Sequence, residues 1–254
     1  LLYSFSVIMI TLGLFAKLAI FPFANWVIDV FKGSESSILS FLSSIPKIAL
    51  FGILCRLFVF PLGSSFELTV VIAVLAILTA FWANTYAIRE KNVKEILACS
   101  SAANVSYMML AACLVSVYNL STVIFYMICY VLMNIAVFAF LNIVEANGVY
   151  KEVADFKGLF VRNKLLTIAY SVAIIGLAGF PITSGFVAKI YLFSAIAHSG
   201  LIFIPFLMIL LILTVVALYY YLKLIQPMFE TVDKPTLLKT FYSQKVVLII
   251  TSII

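Results

Sequence analysis

The chain has 254 residues, of which 65% are apolar and 10% are charged, with a formal net charge of +6. An ordinary soluble domain is about 45–50% apolar and about 25% charged, so this composition excludes a soluble globular fold. One histidine and four cysteines without a CxxC pair also exclude bis-histidine haem, most histidine-built zinc sites and a bound iron–sulfur cluster. The basic residues are spread along the chain, which favours a role in membrane orientation over nucleic-acid binding.

Seven apolar stretches are long enough to cross a bilayer, because a transmembrane helix needs about 20 mostly apolar residues. They predict an all-α polytopic membrane protein with about seven complete transmembrane helices and a partial eighth. The first residues are apolar without a preceding charged region, so we expect a span within a longer chain rather than a signal peptide. The predicted spans are residues 2–28, 37–60, 66–88, 93–116, 120–144, 165–197 and 201–228, with the eighth beginning at 246–254.

Basic residues follow the odd-numbered spans and are nearly absent after the even-numbered ones. The positive-inside rule therefore predicts that the odd loops are cytoplasmic and that the first residue lies outside. Arg56 and Lys223, which lie near span ends, are interpreted as residues that snorkel to the interface. The basic residues of the odd loops are Lys32, Arg89, Lys91, Lys94, Lys151, Lys157, Arg162, Lys164, Lys234, Lys239 and Lys245.

Three lysines, Lys17, Lys47 and Lys189, lie deep within predicted spans. A charge at the bilayer centre costs about 2.5–3.5 kcal/mol on insertion scales, and a lysine stem is too short to reach the interface from these depths. Burial disfavours the charged form, so such a lysine can hold and release a proton, whereas a protonated lysine cannot coordinate Na⁺. We therefore predict a proton relay rather than metal-ion conduction.

Two of the spans are predicted to be broken by proline. Pro22 and Pro181 each lie inside a span, where proline removes a hydrogen bond and clashes with the preceding turn. Gly179 and Gly185 flank Pro181 and favour a true break over a bend. Broken spans that each carry a buried lysine are typical of an ion path, whereas Pro46 lies near a span start and is a weaker signal.

The fourth and fifth spans carry polar side chains that can line a water-filled path of this kind. Each one, taken singly, is interpreted first as an interhelical hydrogen bond. They are Ser100, Ser101, Asn104, Tyr107, Tyr126, Tyr130 and Asn134.

Six segments, spread over nearly the whole chain, resemble one known family. They read GLFAKLAIFPFANWVIDVFKG, FLSSIPKIALFGILCRL, KNVKEILACSSAANVSYMML, FYMICYVLMNIAVFAF, DFKGLFVRNKLL and LAGFPITSGFVAKIYLF. The family is the antiporter-like subunit N of NADH:quinone oxidoreductase, respiratory complex I, called subunit 2 in mitochondria. The resemblance is to its C-terminal half and implies an inverted-repeat antiporter-like fold. Residues 1–60 would then be the last two helices of the first repeat, 61–230 the five-helix second repeat, and 231–254 a cytoplasmic loop and the start of a final helix.

The resemblance also implies roles for the buried lysines. Lys17 and Lys189 would be the lysines of the two broken helices, and Lys47 the connecting lysine between them, so that all three relay protons. The chain departs from the family at Ala24 and Asn104, where histidine is common.

By the same resemblance the chain would be a proton-translocating membrane-arm subunit that performs no redox chemistry and holds no cofactor. Flavin, iron–sulfur clusters and quinone are expected in other subunits of the complex. The expected partners are the other membrane-arm subunits and the lipid bilayer, and no nucleic acid. The expected location is the bacterial cytoplasmic membrane, with the mitochondrial inner membrane as the alternative.

Two further functions fit the same chain. One is a subunit of a multisubunit Na⁺/H⁺ antiporter or of a membrane-bound hydrogenase, and the other is a scaffold that only packs against partners. Antiporter relatives usually carry His and Lys where this chain reads YVLMN, so Asn134, together with the Pro46–Lys47 pair, favours subunit N.

Overall fold

The computed structural model describes residues 2–58, 66–114, 117–148 and 151–231. Within these ranges the chain is almost entirely helical, and the one β-type pairing is an isolated bridge between Asn92 and Glu152. The predicted all-α fold class is confirmed. The helices are α1 (Leu2–Lys17), α2 (Asn25–Gly33), α3 (Ser36–Leu42), α4 (Ile45–Leu57), α5 (Phe66–Arg89), α6 (Val93–Cys113), α7 (Val117–Ala146), α8 (Leu159–Arg162), α9 (Lys164–Ala178), α10 (Ser184–His198) and α11 (Ile204–Ile225), with 3-10 turns at Val153–Phe156, Leu201–Phe203 and Gln226–Phe229.

Five helical stretches of the described chain are long and apolar enough to cross a membrane. The other two predicted spans, 2–28 and 165–197, each consist of two shorter helices. The predicted eighth span, 246–254, lies outside the described residues. The five stretches are Ser36–Leu57, Phe66–Arg89, Val93–Cys113, Asn119–Ala146 and Leu201–Phe229.

The first span is interrupted between Lys17 and Asn25, and Pro22 lies in the interval. Side chains bind the backbone groups that the interruption leaves free. The Trp26 indole donates to the Ala16 carbonyl (2.8 Å), and the Phe21 amide donates to Thr79 Oγ1 of α5 (2.9 Å). Neighbouring helices thus satisfy the broken backbone, as an apolar bilayer requires.

The second interruption separates α9 from α10 and contains Pro181. Gly179 ends α9 in the left-handed region, with φ +76, a conformation that glycine adopts without steric cost. Thr183 begins α10 by accepting from the Phe186 amide (3.3 Å), which is a normal N-cap. The local sequence therefore encodes both the stop and the restart.

A third interruption, between α3 and α4 at Ser43 and Ser44, was not predicted. Pro46 follows it as the second residue of α4. Proline has no amide N–H and its ring clashes with the carbonyl one turn earlier. The weaker signal at Pro46 therefore marks a break just before Lys47.

Helix α6 lies at the centre of the fold, with every residue from Glu95 to Cys113 buried. It packs against α2, α4, α5, α7, α10 and α11. Small side chains such as Ala102, Ala103 and Ala111 allow these neighbours to approach closely. Polar residues on α6 must consequently find partners inside the protein.

The chain segments after the first, third and fifth spans meet on one face, called the odd-loop face. Lys32 forms an ion pair with Glu95 (2.7 Å), and Lys94 forms one with Glu145 (2.7 Å). The hydrogen bond that Lys32 donates to the Glu95 carboxylate raises the pKa of this exposed lysine. The Val93 amide also donates to the Lys151 carbonyl (3.0 Å). The loops that were predicted to share a side do so, and the assignment of that side to the cytoplasm stays a prediction.

The segment after the seventh span joins the same face. Lys157 pairs with Glu230 (2.8 Å), and the Gly158 amide donates to the Pro227 carbonyl (3.1 Å). Lys223 donates to the Ile88 (3.2 Å) and Glu90 (2.5 Å) carbonyls at the end of α5. The Lys223 ammonium therefore lies against the negative end of a neighbouring helix, and its interpretation as a residue that snorkels to the interface stays a prediction.

Candidate functional site

Helix α6 carries a buried row of polar side chains, the α6 row, formed by Ser100, Ser101, Asn104 and Tyr107. Ser100, Asn104 and Tyr107 follow one another at intervals of four and three residues, so they lie on one side of the helix. The other helices contribute the groups that meet this row, and two of those groups are lysines.

Lys47 meets the row at Ser101. It lies in the first turn of α4 and is 9% exposed. Its ammonium donates to Ser101 Oγ and to the Tyr130 hydroxyl (3.1 Å), and it lies 5.3 Å from the centre of the Tyr130 ring. The Tyr130 hydroxyl in turn donates to Ser101 Oγ (3.1 Å). The break before α4 places the start of this helix, and hence Lys47, against α6 and α7.

Lys47 has no acidic partner within the described part of the chain, where the ion pairs are those of Lys32, Lys94 and Lys157. Its neighbours are neutral hydroxyl groups and an aromatic ring. Asn134, one turn along α7, donates to the Tyr130 carbonyl (2.9 Å). That bond is internal to α7, and no hydrogen bond between described residues joins Asn134 to Lys47.

Lys17, the last residue of α1, is exposed, unlike Lys47. This differs from the expectation of a lysine buried within the span. The reason is that α1 packs mainly against α4 and leaves the face that carries Lys17 uncovered by described residues. Lys17 and Lys47 nevertheless line one cavity of about 580 Å³, which opens to the surface and also contacts Pro22, Trp26 and Pro46.

The middle of the α6 row binds two tyrosines of other helices. The Tyr126 hydroxyl of α7 donates to Asn104 Oδ1 (2.6 Å). The Tyr221 hydroxyl of α11 lies 2.5 Å from Ser100 Oγ and accepts from Asn104 Nδ2 (3.3 Å). Asn104 thus connects α7 to α11.

Lys189 meets the other end of the row. It lies on α10, is 4% exposed and donates to the carbonyls of Leu177 (3.1 Å) and Ala178 (2.8 Å). Those carbonyls are free because α9 ends there, and the helix dipole adds a negative partial charge. The ammonium also lies 5.7 Å from the centre of the Tyr107 ring. The break around Pro181 therefore creates the site that holds Lys189.

Lys47 and Lys189 contact the row six residues apart, at Ser101 and Tyr107, which corresponds to about 9 Å along a helix axis. Among the described residues, the side-chain hydrogen bonds around the α6 row form three separate groups. One group contains Lys47, Ser101 and Tyr130. The second, called the Asn104 cluster, contains Ser100, Asn104, Tyr126 and Tyr221. The third contains Lys189 and the two carbonyls at the end of α9. The three groups follow one another along α6, and no direct hydrogen bond between described residues connects one group to the next.

Sequence reasoning missed Tyr221, which completes the middle cluster. The sequence feature that could have identified it is the run of three tyrosines, Tyr219–Tyr221, within an otherwise aliphatic span. It also missed Trp26 and Thr79, whose side chains bind the broken backbone at the first interruption. Their partners are distant in the sequence and follow only from helix packing.

Comparisons with known proteins place this arrangement in a family. A model described as NADH:quinone oxidoreductase/Mrp antiporter, TM, matches residues 1–216. NADH-quinone oxidoreductase subunit N of Phocaeicola vulgatus is 34% identical over 224 residues, which cover 86% of this chain and 46% of the relative.

Solved structures agree with that assignment. A chain of respiratory complex I from Thermus thermophilus has a TM-score of 0.84 at 28% identity, and the match covers 99% of this chain and 56% of that one. A chain of the Mrp complex from a Dietzia species has a TM-score of 0.84 at 21% identity over 95% of this chain and 45% of that one, which shows a shared fold.

The chain spans about half the length of the curated relatives it matches. The relatives named subunit N are 30–34% identical over most of this chain, and the resemblance noted from the six segments is confirmed. Because the family model matches 216 of the 254 residues, this chain belongs to the NADH:quinone oxidoreductase/Mrp antiporter transmembrane family.

Proposed function

We propose that this chain is part of a proton-translocating membrane-arm subunit of NADH:quinone oxidoreductase. One observation carries the proposal: Lys47 and Lys189 are buried at two ends of a polar row and are held by hydroxyl and carbonyl groups. A buried lysine with neutral partners can exist as an amine or an ammonium, so it can take up and release a proton.

The three lysines have different roles in this proposal. Lys47 transfers protons laterally along the α6 row, and Lys189 releases them towards the exit side. Lys17 exchanges protons with an adjoining part of the protein. Its exposure to the cavity that it shares with Lys47 supports this role.

The chain performs no redox chemistry in this proposal. Electron transfer through flavin, iron–sulfur clusters and quinone takes place in other subunits and drives the lysines through conformational or electrostatic signals. The other membrane-arm subunits and the lipid are its partners, and the bacterial cytoplasmic membrane is its location. Residues 1–60 close one antiporter-like repeat, and residues 61–230 form the next.

A role in a multisubunit Na⁺/H⁺ antiporter is less favoured. The similarity to subunit N reaches 34% identity, whereas the similarity to the Mrp chain, at 21%, concerns the fold. Purification of the assembly separates the two: co-purifying flavin and iron–sulfur spectra support the oxidoreductase, and their absence supports the antiporter.

The test of the lysine relay is Lys189→Ala in the assembled complex. Protons pumped per electron are measured in proteoliposomes, and native electrophoresis checks assembly. We expect the ratio to fall strongly while NADH and quinone still bind, because the proton acceptor at the end of α9 is lost.

Lys151→Ala is the matched control, because Lys151 is an exposed lysine of the odd-loop face and should leave the ratio unchanged. A normally assembled Lys189→Ala complex that pumps at the wild-type ratio would remove Lys189 from the pathway.

A further inference from the structure

A groove, called the α4–α7 groove, opens between helices α4 and α7. The preceding helix α3 packs closely against α7, whereas α4, which begins after the break at Ser43 and Ser44, contacts α7 only lightly. The groove has a volume of about 310 Å³, and none of the residues that line it carries a charged, amide or hydroxyl side chain. It therefore suits hydrocarbon, because a polar ligand would find no hydrogen-bond partner there.

The groove extends along one half of the membrane. Its lining runs from Ile48 to Cys55 on α4 and from Leu120 to Ile128 on α7, a length of about 10 Å along each helix. Half of a hydrocarbon layer about 30 Å thick is about 15 Å. Ile48 lies near the middle of the apolar stretch Ser36–Leu57, so one end of the groove lies near the centre of the membrane.

The other end of the groove lies on the side away from the odd-loop face. Glu145, near the end of α7, pairs with Lys94 on the odd-loop face, so the start of α7, which carries Leu120, lies on the opposite side. The groove thus runs from the membrane centre to the interface that the odd loops do not occupy.

A basic side chain lies at that interfacial end. Arg56 is exposed, and it lies one turn after Gly52 and next to Cys55, which both line the groove. Arg56 takes part in none of the ion pairs between described residues. A guanidinium binds a phosphate through two parallel hydrogen bonds, so this end of the groove is complementary to an anionic phosphate.

We propose that the α4–α7 groove binds a phospholipid, with its phosphate on Arg56 and one acyl chain between the two helices. The apolar lining, the extent over one half of the membrane and the cation at the interface match the parts of a lipid in order. A transmembrane helix of a neighbouring subunit fits less well, because it would cross both halves of the membrane, whereas α3 packs against α7 in the other half. The proposal does not depend on proton transfer.

The test is photo-crosslinking of the complete complex in phosphatidylcholine liposomes that contain a small amount of labelled lipid. The probe is phosphatidylglycerol with a photoactivatable diazirine near the end of one acyl chain, and mass spectrometry locates the labelled residues. We expect labels on α4 and α7 near Ile48 and Ile128. Diacylglycerol with the same labelled chain lacks the phosphate and should label these segments about tenfold less, as expected for the loss of one charge-assisted hydrogen bond.

Gly52→Trp tests the groove itself. A Cβ added to Gly52 meets nothing within 4 Å, so a tryptophan there can occupy the groove without displacing the backbone, and we expect it to abolish the labelling of α4 and α7. Gly13→Trp is the matched control, because a Cβ added to Gly13, on α1, also meets nothing within 4 Å. The control should keep the labelling, and equal labelling of the two variants would overturn the assignment of the acyl chain to this groove.

Arg56→Gln tests the phosphate contact and still decides the question if Gly52→Trp does not assemble. We expect about tenfold less labelling by the phosphatidylglycerol probe, whereas Arg56→Lys, which keeps the charge, should retain most of it. Equal labelling by the two probes, or unchanged labelling in Arg56→Gln, would overturn the phosphate site. A helix of another subunit in the groove, seen in an electron cryo-microscopy map of the complex, would overturn the lipid as its occupant.

Discussion

The position of Lys189 depends on the missing side chain at Gly179. A Cβ added to Gly179 would lie 2.7 Å from Lys189 Cδ and 3.1 Å from its Nζ, which is closer than side-chain carbons approach. The backbone of Gly179 is also left-handed, with φ +76. Gly179→Ala should therefore move the ammonium away from the Leu177 and Ala178 carbonyls.

The size of this effect is set by how much each of the two hydrogen bonds of Lys189 contributes. A hydrogen bond to a charged group contributes about 1.5–3 kcal/mol, and a left-handed alanine costs about 1–2 kcal/mol more than glycine. The loss of one such bond would lower the population of correctly placed Lys189 about 10- to 100-fold, since about 1.4 kcal/mol corresponds to a factor of ten.

The assay is the number of protons pumped per electron by Gly179→Ala complexes in proteoliposomes. Gly200→Ala is the matched control: Gly200 also has a positive φ, of +130, but nothing lies within 4 Å of a Cβ added there. We expect Gly179→Ala to pump far fewer protons and Gly200→Ala to keep the wild-type ratio after correction for the amount assembled. Equal losses in the two variants would attribute the effect to backbone strain and refute the steric argument.

Three further predictions concern single contacts. Lys223→Ala should lower the apparent melting temperature of the complex without changing protons per electron, because its two hydrogen bonds at the end of α5 contribute about 1.5–3 kcal/mol each; a lower pumping ratio would contradict a purely structural role. Trp26→Phe should destabilise the first interruption by about 1 kcal/mol, the loss of one neutral hydrogen bond, measured as lower heat resistance in detergent, and unchanged resistance would count against it. Ser101→Ala should reduce pumping more than Ser106→Ala, because Ser101 binds Lys47 whereas Ser106 binds the Ala103 carbonyl of its own helix, and equal effects would reject Ser101 as a relay member.

Helix breaks show how far sequence reasoning reaches. Pro22 and Pro181 identify their interruptions because a proline ring disrupts its own helix, which is a local effect. Pro46 belongs to the same class, but its position near a predicted span start hid the break before Lys47. The carbonyls that each break exposes are also predictable, whereas the groups that bind them are not.

The exposure of Lys17 is a second property that the sequence does not predict. Hydropathy indicates how deep a residue lies along its span, but it does not indicate whether the side chain faces the protein interior or the outside. Lys17 and Lys47 are both deep within their predicted spans, yet Lys17 is exposed on the described chain and Lys47 is buried. Direction is decided by which helices pack against each face.

The sequence by itself determined the membrane class, the order of the spans, the shared side of the odd loops, the two proline breaks and the candidate lysines. These properties follow from local composition, because the length of an apolar run and the chemistry of proline act within one helix. Only the tertiary structure decided that Lys189 binds the end of α9, that Lys223 binds the end of α5 and that Tyr221 completes the Asn104 cluster. The Lys223 and Tyr221 contacts join residues far apart in the sequence, and the Lys189 contact joins two helices across a break. In each case only the packing of whole helices brings the partners within hydrogen-bond distance.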